Sequence, residues 1–228
     1  MKVAIDGPAG SGKSTVAKAI AKKCGFTLLD TGAMYRSVAL ACVQRGVDLN
    51  DTDAVAQVAR EVKISFVPGE KVQRVLLDGE DVTSDIRTPL IDKAVTPVSA
   101  NPGVREAMVA QQRAIGEQGD VVAEGRDIGT VVFPDAEVKV FLTADPAARA
   151  LRRAVQRDGG DAATDAHATA DQSAVEEIMA DLIRRDKADS TREASPLRPA
   201  EDAVHIDSSN KTVDMVVSMI IQMMEGAR

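Results

Sequence analysis

The stretch that most restricts this chain is its start, MKVAID followed by GPAGSGKST. A short apolar run, a glycine-rich turn and a helix start come in that order. Gly7 to Ser14 fits G-x-x-x-x-G-K-[ST], the phosphate-binding P-loop. The spacing has a mechanical reason. Glycines allow a concave turn whose backbone N–H groups point at anionic oxygens, and the helix opening at Lys13 adds the positive end of its dipole. Gly7, Pro8, Ala9, Gly10, Ser11, Gly12, Lys13, Ser14 and Thr15 are therefore the expected cradle for a nucleoside triphosphate. In such a loop the lysine reaches the terminal phosphates, and the Ser14 hydroxyl is the expected ligand for Mg²⁺.

At 228 residues the chain has enough length to bury a full core, and one domain with insertions, 1–228, is expected. A net charge of −7 argues against broad polyanion binding, so neither nucleic acid nor a membrane surface is an expected partner. Aromatic residues are too scarce, at 2%, to build a base-stacking platform for single strands. Cys24 and Cys42 have neither metal-site spacing nor the look of a disulfide framework, which suits a reducing cytoplasm. The N-terminus opens a strand and carries Asp6, unlike a secretory leader. The apolar run Met215 to Met224 is too short to span a bilayer and reads as a packed last helix. A soluble, cytoplasmic monomer is expected.

Periodicity places helices at Ser14–Cys24, Ala33 to about Arg45, Asp51 or Thr52 to Val62, Pro89–Ser99, Val104–Gln118, Pro146–Arg157, Ser173–Asp189 and Thr212–Glu225. Short strands fall at Met1–Asp6, Phe26–Leu29, Asp120–Ala123, Val138–Leu142 and Ala203–Ile206. The pattern is α/β: a P-loop-type parallel sheet flanked by helices, with ligands at the strand C-termini. Ile64, Phe66, Val72, Val75, Leu77 and Val82, with turns at Pro68-Gly69 and Asp78-Gly79, form a small antiparallel β insertion. Residues 158–171 have small polar composition and no apolar period, so they read as a lid loop.

Three further groups carry chemistry. Arg149, Arg152, Arg153 and Arg157 share a helix ridge that leads into the lid loop, either as a solvated face or as a clamp on transferring phosphates. Arg185, Asp189 and Arg192 lie at i, i+4 and i+7, either as a salt-bridge stripe or as a carboxylate and two guanidiniums offered to a sugar phosphate. Glu124, Gly125, Arg126 and Asp127 follow a buried strand at the edge where ligands bind. A GTP switch is disfavoured, because no D-x-x-G occurs and Asn210-Lys211-Thr212-Val213-Asp214 places the acid one residue late for N-K-x-D.

GPAGSGKST, LDTGAMYR at 29–36, Ile86-Arg87-Thr88, Val104-Arg105-Glu106, EGRDIGTVVFP at 124–134 and R-D-x-x-D-x-x-R at 185–192 together resemble the bacterial cytidylate kinases, over essentially the whole chain. The resemblance implies ATP as phosphoryl donor and phosphorylation of CMP and dCMP. It also implies a monophosphate-binding insertion over about 34–100 and a helical lid over about 150–172. Carried over by position, it assigns Thr96, Arg105 and Asp127 to the cytosine, and Arg185 and Asp189 to the pentose. Arg36, Arg126 and Arg192 fall to the acceptor phosphate. Thr31, Tyr35 and Gly125 join the substrate site, Arg149 and Arg157 the ATP side, and Arg153 the catalytic set with Lys13 and the phosphate arginines. Thr96 stands where serine is common in that family and keeps the hydroxyl. The lid lacks cysteines, which excludes a zinc-stapled form.

The chemistry agrees with these roles. Cytosine presents an exocyclic amino donor beside ring acceptors, matching a carboxylate with an arginine and a hydroxyl. The acceptor phosphate is largely dianionic near neutrality, its second pKa being about 6, so no general base is required. His167 and His205 are accordingly read as non-catalytic. Asp30 or Glu124, each at a strand end, would support a magnesium-bound water, with Asp30 taken as the metal residue beside Ser14. P-loop kinases hold adenine near the lid and the last loop, here around Ser208 to Asn210. The other readings are a kinase for UMP, AMP or shikimate, and a nucleotide-binding regulator without turnover.

Overall fold

The computed structural model describes residues 1–67, 69, 73–157 and 171–227, with backbone only at 156 and 157. Residues 158–170 of the expected lid loop 158–171, His167 among them, the Arg157 side chain, and Pro68 and Val72 of the expected β insertion lie outside the described residues. In chain order the elements are β1 (Lys2–Asp6), α1 (Lys13–Cys24), β2 (Thr27–Asp30), α2 (Thr31–Gln44), α3 (Thr52–Glu61), β3 (Ile64–Val67), β4 (Arg74–Leu77) and β5 (Glu80–Asp81). After a 3₁₀ turn at Asp85–Arg87 come α4 (Pro89–Ala100), α5 (Pro102–Gly116) and β6 (Val121–Gly125). A π-turn at Ile128–Val132 leads to β7 (Val138–Thr143), α6 (Pro146–Arg157), α7 (Gln172–Thr191), β8 (Val204–Asp207) and α8 (Val213–Gly226). No described helix is long and apolar enough to cross a membrane.

The chain divides into two compact units, Met1–Leu28 with Gly119–Arg228, and Leu29–Gln118. The first is built on the sheet β2-β6-β1-β7-β8, with β1 at its centre. β1 runs parallel to β6 and β7, and β7 parallel to β8. The register pairs Asp6 with both Gly125 and Phe141, so the chain leaves β1 and β6 at the same edge of the sheet. Val3, Ala4 and Ile5 are fully buried, as expected of a central parallel strand covered on both faces. One cluster packs Val3, Ile5, Val122, Val140 and Leu142 against Val16 and Ile20 of α1 and Val217 and Ile220 of α8. A smaller one joins α6 to α7 through Ala150, Ala154, Ile178 and Leu182.

The second unit holds α2 to α5 and an antiparallel sheet β3-β4-β5, in which Ile64 pairs with Leu77 and Val67 with Arg74. Its helix starts are set by side chains. Asp30, Asp51, Thr88 and Asn101 accept from backbone N–H groups of the first turns of α2, α3, α4 and α5. Such caps are worth about 0.5–2 kcal/mol each. α4 runs through Pro97 as expected and ends at Ala100, since an internal proline removes one donor without forbidding the turns beyond it. α5 begins at Pro102 rather than Val104, because proline suits the first helical position and Asn101 caps it.

Candidate active site

The P-loop leaves β1 directly. Gly7 has φ 149°, and a Cβ there would lie 2.0 Å from the Leu142 carbonyl oxygen, so only glycine lets the loop pass this close to β7. The loop is braced from within and from behind. Ser11 Oγ donates to the Pro8 carbonyl at 3.0 Å. Lys13 is buried, and its Nζ donates to the same carbonyl at 2.6 Å. Burial first, then the nearby Arg126 guanidinium, push the Lys13 ammonium below its ordinary pKa, while Glu124 and Asp6 oppose the shift. Ser14 and Thr15 are exposed at the first turn of α1.

The arginine ridge on α6 is not a solvated face where the structure describes it. Arg149 is buried and binds the P-loop through the Ala9 carbonyl at 2.9 Å. It also reaches the Ala144 carbonyl at 3.1 Å and Asp186 of α7 at 2.6 Å. Arg152 donates to Ser208, at 3.1 Å to the hydroxyl and 2.7 Å to the carbonyl. Ser208 is itself buried, its Oγ 3.0 Å from the carbonyls of Ser11 and Thr143. The last loop therefore supports the cradle from below at Ser208. Arg153 is half-buried one position further along.

At the C-terminal end of β6 the predicted residues converge. Asp189 is buried on α7 and receives Arg126 Nε at 2.9 Å. Arg192 lies 3.8 Å from Asp189 and 3.9 Å from Asp127, which is itself buried. α7 ends at Thr191 and Arg192 is its C-cap, whose N–H still bonds the Ala188 carbonyl at 3.1 Å, so Arg192 keeps the helical i, i+3 position beside Asp189 that the spacing predicts. Arg185 is half-buried and near enough to lower the Lys13 ammonium. Gly125, the last residue of β6, is buried between Glu124 and this network.

In the second unit, Arg36 pairs with Asp92 and donates to the Ile86 carbonyl at 3.0 Å. Arg105 is buried, donates to the Ser99 carbonyl at 3.0 Å, and holds its guanidinium carbon 5.1 Å from the Tyr35 ring centroid. That cation–π geometry orients an otherwise flexible side chain. Thr31 is buried at the start of α2, and Thr96 is exposed on α4. Asp30 uses Oδ1 to cap α2 through the Ala33 N–H at 2.9 Å.

Sequence reasoning passed over Asp6. It is buried at the end of β1, where each oxygen accepts one backbone N–H, from Ile128 and from Gly129, both at 2.8 Å. Its pKa is raised to about 6, chiefly by burial, against the pull of those two hydrogen bonds and of Lys13. The available signal was a carboxylate closing an apolar strand immediately before Gly7.

A glycine cradle at the end of the central parallel strand, a buried lysine inside it, and an arginine–carboxylate network on the adjacent strand define a P-loop kinase. The comparisons narrow the class. A family model described as cytidylate kinase matches residues 3–226. A cytidylate kinase of Limosilactobacillus reuteri (strain DSM 20016) is 49% identical over 220 residues, covering 96% of this chain and 93% of that protein. One of Pelotomaculum thermopropionicum is 47% identical, covering 99% and 96%, and one of Bacillus cereus (strain ATCC 10987 / NRS 248) is 42% identical over the same shares. The chain belongs to the cytidylate kinase family.

Proposed function

We propose that this chain phosphorylates CMP and dCMP from ATP, giving CDP and dCDP. The observation that carries this reading is the buried network Arg126–Asp189–Arg192–Asp127 beside a P-loop, in a chain matching the family from residue 3 to 226. A P-loop names only a donor. An acid-and-arginine network at the neighbouring strand end supplies what a second, phosphorylated substrate needs.

ATP is the expected occupant of the cradle, whose loop can pass close to β7 because Gly7 carries no side chain. Gly7 to Thr15 would hold its phosphates, and Ser14 would hold Mg²⁺ with Asp30 or Glu124 positioning a metal-bound water; the ion supplies charge neutralisation at the phosphates. Lys13 would exchange the Pro8 carbonyl for phosphate oxygen. An anion beside it favours the charged ammonium, reversing the effect of burial. Arg36, Arg126 and Arg192 bind the acceptor phosphate in this reading, and Arg153 joins them in neutralising charge. Arg149 braces the cradle on the ATP side, and Arg157 is assigned to ATP with it.

Asp127 accepts from the cytosine amino group while Arg105 and Thr96 donate to ring acceptors; Arg185 and Asp189 hold the pentose, and Thr31, Tyr35 and Gly125 line the site. Uracil would set a carbonyl against the Asp127 carboxylate, and an unpaired buried group of that kind costs about 1–3 kcal/mol. The acceptor phosphate is already ionised near neutrality, so alignment and charge neutralisation suffice. The same reading makes the protein a cytoplasmic monomer, one kinase domain over 1–228 with a monophosphate-binding insertion at about 34–100 and a lid at about 150–172.

A coupled ADP-release assay with CMP, dCMP, UMP, AMP and shikimate tests the proposal. Turnover with CMP and dCMP is expected. Turnover confined to another acceptor, or ATP binding with no acceptor-dependent ADP, overturns it.

A further inference from the structure

We infer that Asp6 is a positioning residue for acceptor recognition: its carboxylate fixes the turn that follows Asp127 and so aims the base-reading side chain. The inference rests on the assignment of Asp127 to the cytosine.

The geometry is specific. Asp6 is only 4% exposed, and its two oxygens are divided between consecutive donors, the N–H groups of Ile128 and Gly129 at 2.8 Å each. Those residues open the π-turn Ile128–Val132, and the turn closes back on the residue of interest. The Asp127 carbonyl accepts from Val131 at 2.9 Å and Val132 at 3.2 Å. The backbone leaving Asp127 on its C-terminal side is thus tied twice, once to the turn and once to the end of β1. A side chain at residue 129 would crowd this approach, since a Cβ there would lie 3.2 Å from Lys139 Cδ and 3.5 Å from Asp6 Oδ2.

Only an ionised carboxylate serves both donors. A protonated acid or an amide turns one group into a donor facing an N–H. The charge is costly where it sits. Asp127 repels it, Lys13 attracts it, and the Lys139 stem passes alongside with its ammonium committed to Pro134 and Asp202. Asp6 titrates at about 6 in the fold against 3.8 as a free side chain. The native state therefore holds the extra proton between those values, and stability falls as pH rises through them. The ionised form has its use in the turn.

The test combines amide hydrogen exchange of the ligand-free chain with steady-state kinetics of wild type and Asp6→Asn. Exchange at Ile128 and Gly129 should accelerate by about tenfold or more in the variant, as expected on losing one charge-assisted hydrogen bond, with Val122 unchanged. The CMP KM should rise by about tenfold with the ATP KM within about twofold, while the melting temperature at about pH 8 stays equal or rises as the buried charge is relieved. Wild-type protection at both amides, or a parallel loss of ATP and CMP binding with a lower melting temperature, overturns the inference. Should the variant not fold, wild type alone decides. Protection at Ile128 and Gly129 relative to Val122 should drop between about pH 8 and about pH 5, and flat protection overturns the inference. Exchange is read without substrate, so it stands apart from failure of the CMP assignment, which shows as absent CMP turnover by wild type.

Discussion

In the unit that carries the P-loop, the buried ionisable groups are bonded to backbone or to one another. Asp6 holds two N–H groups, Lys13 a loop carbonyl, Arg149 two carbonyls and a carboxylate, and Asp189 a guanidinium. In the unit 29–118, Gln112 is 1% exposed on α5 and, among the described residues, neither amide atom has a hydrogen-bond partner. The contrast separates two uses of buried polarity. In the first unit the bonds Ile128–Asp6, Arg149–Ala9 and Arg126–Asp189 join segments far apart in sequence and set the positions of groups that the proposed reaction places on phosphate. They cost desolvation and return preorganisation. Gln112 returns nothing of that kind in the ligand-free fold.

The hardest blow to this comparison falls on Lys13. If its buried ammonium serves chemistry, Lys13→Ala should lower kcat by about 10²–10³-fold, the usual effect of removing one preorganised charge from a transition state. The fold should survive, because the variant also removes a desolvated cation. Steady-state ADP release at saturating ATP and CMP measures it. A kcat within about threefold of wild type would reduce the P-loop lysine to a loop brace bonded to Pro8.

What was legible in advance follows from range. The P-loop, the near-continuous apolar strands and the α1 stripe of Val16, Ala17, Ile20 and Ala21 are local patterns, and they stand where expected. A parallel sheet flanked by helices followed from alternation, but its order β2-β6-β1-β7-β8 did not, since order is set by long-range pairing. The π-turn at 128–132 has no signature in the sequence, because its anchor lies 122 residues earlier and accepts from backbone N–H groups that no residue type announces. Arg192 stands on the face its spacing predicts, an i, i+3 neighbour of Asp189 at the C-cap of α7, whereas its approach to Asp127 is long-range and has no local signature. Arg149 offered two readings, clamp or solvated face, and only the packing of α6 beneath Ala9 and against Asp186 decides that it is buried.

Asp127→Ala should act on one substrate only. Losing a hydrogen bond to a charged group costs about 1.5–3 kcal/mol, so the CMP KM should rise by about 10- to 100-fold while the ATP KM stays within about twofold. Initial-rate kinetics with each substrate varied in turn separates the two. Equal losses for both would mean that the network Arg126–Asp189–Arg192–Asp127 holds the P-loop unit together rather than reading the acceptor. An unchanged CMP KM would take the base-reading role from Asp127 altogether.

The smallest effect sharpens the other side of the contrast. α5 buries Val104, Arg105, Met108, Gln112 and Gly116 on one face, so Gln112 lies on the same stripe as Arg105 and one turn beyond Met108. An unpaired buried amide costs about 1–3 kcal/mol, and methionine has nearly the same shape and length without that cost. Gln112→Met should therefore raise the melting temperature by about 2–4 °C for each kcal/mol recovered, with both KM values unchanged. Scanning calorimetry of the ligand-free chain measures the shift. A lower melting temperature together with a raised CMP KM would show the amide bonded in the working enzyme, and would place Gln112 with Arg105 among the groups that serve the acceptor.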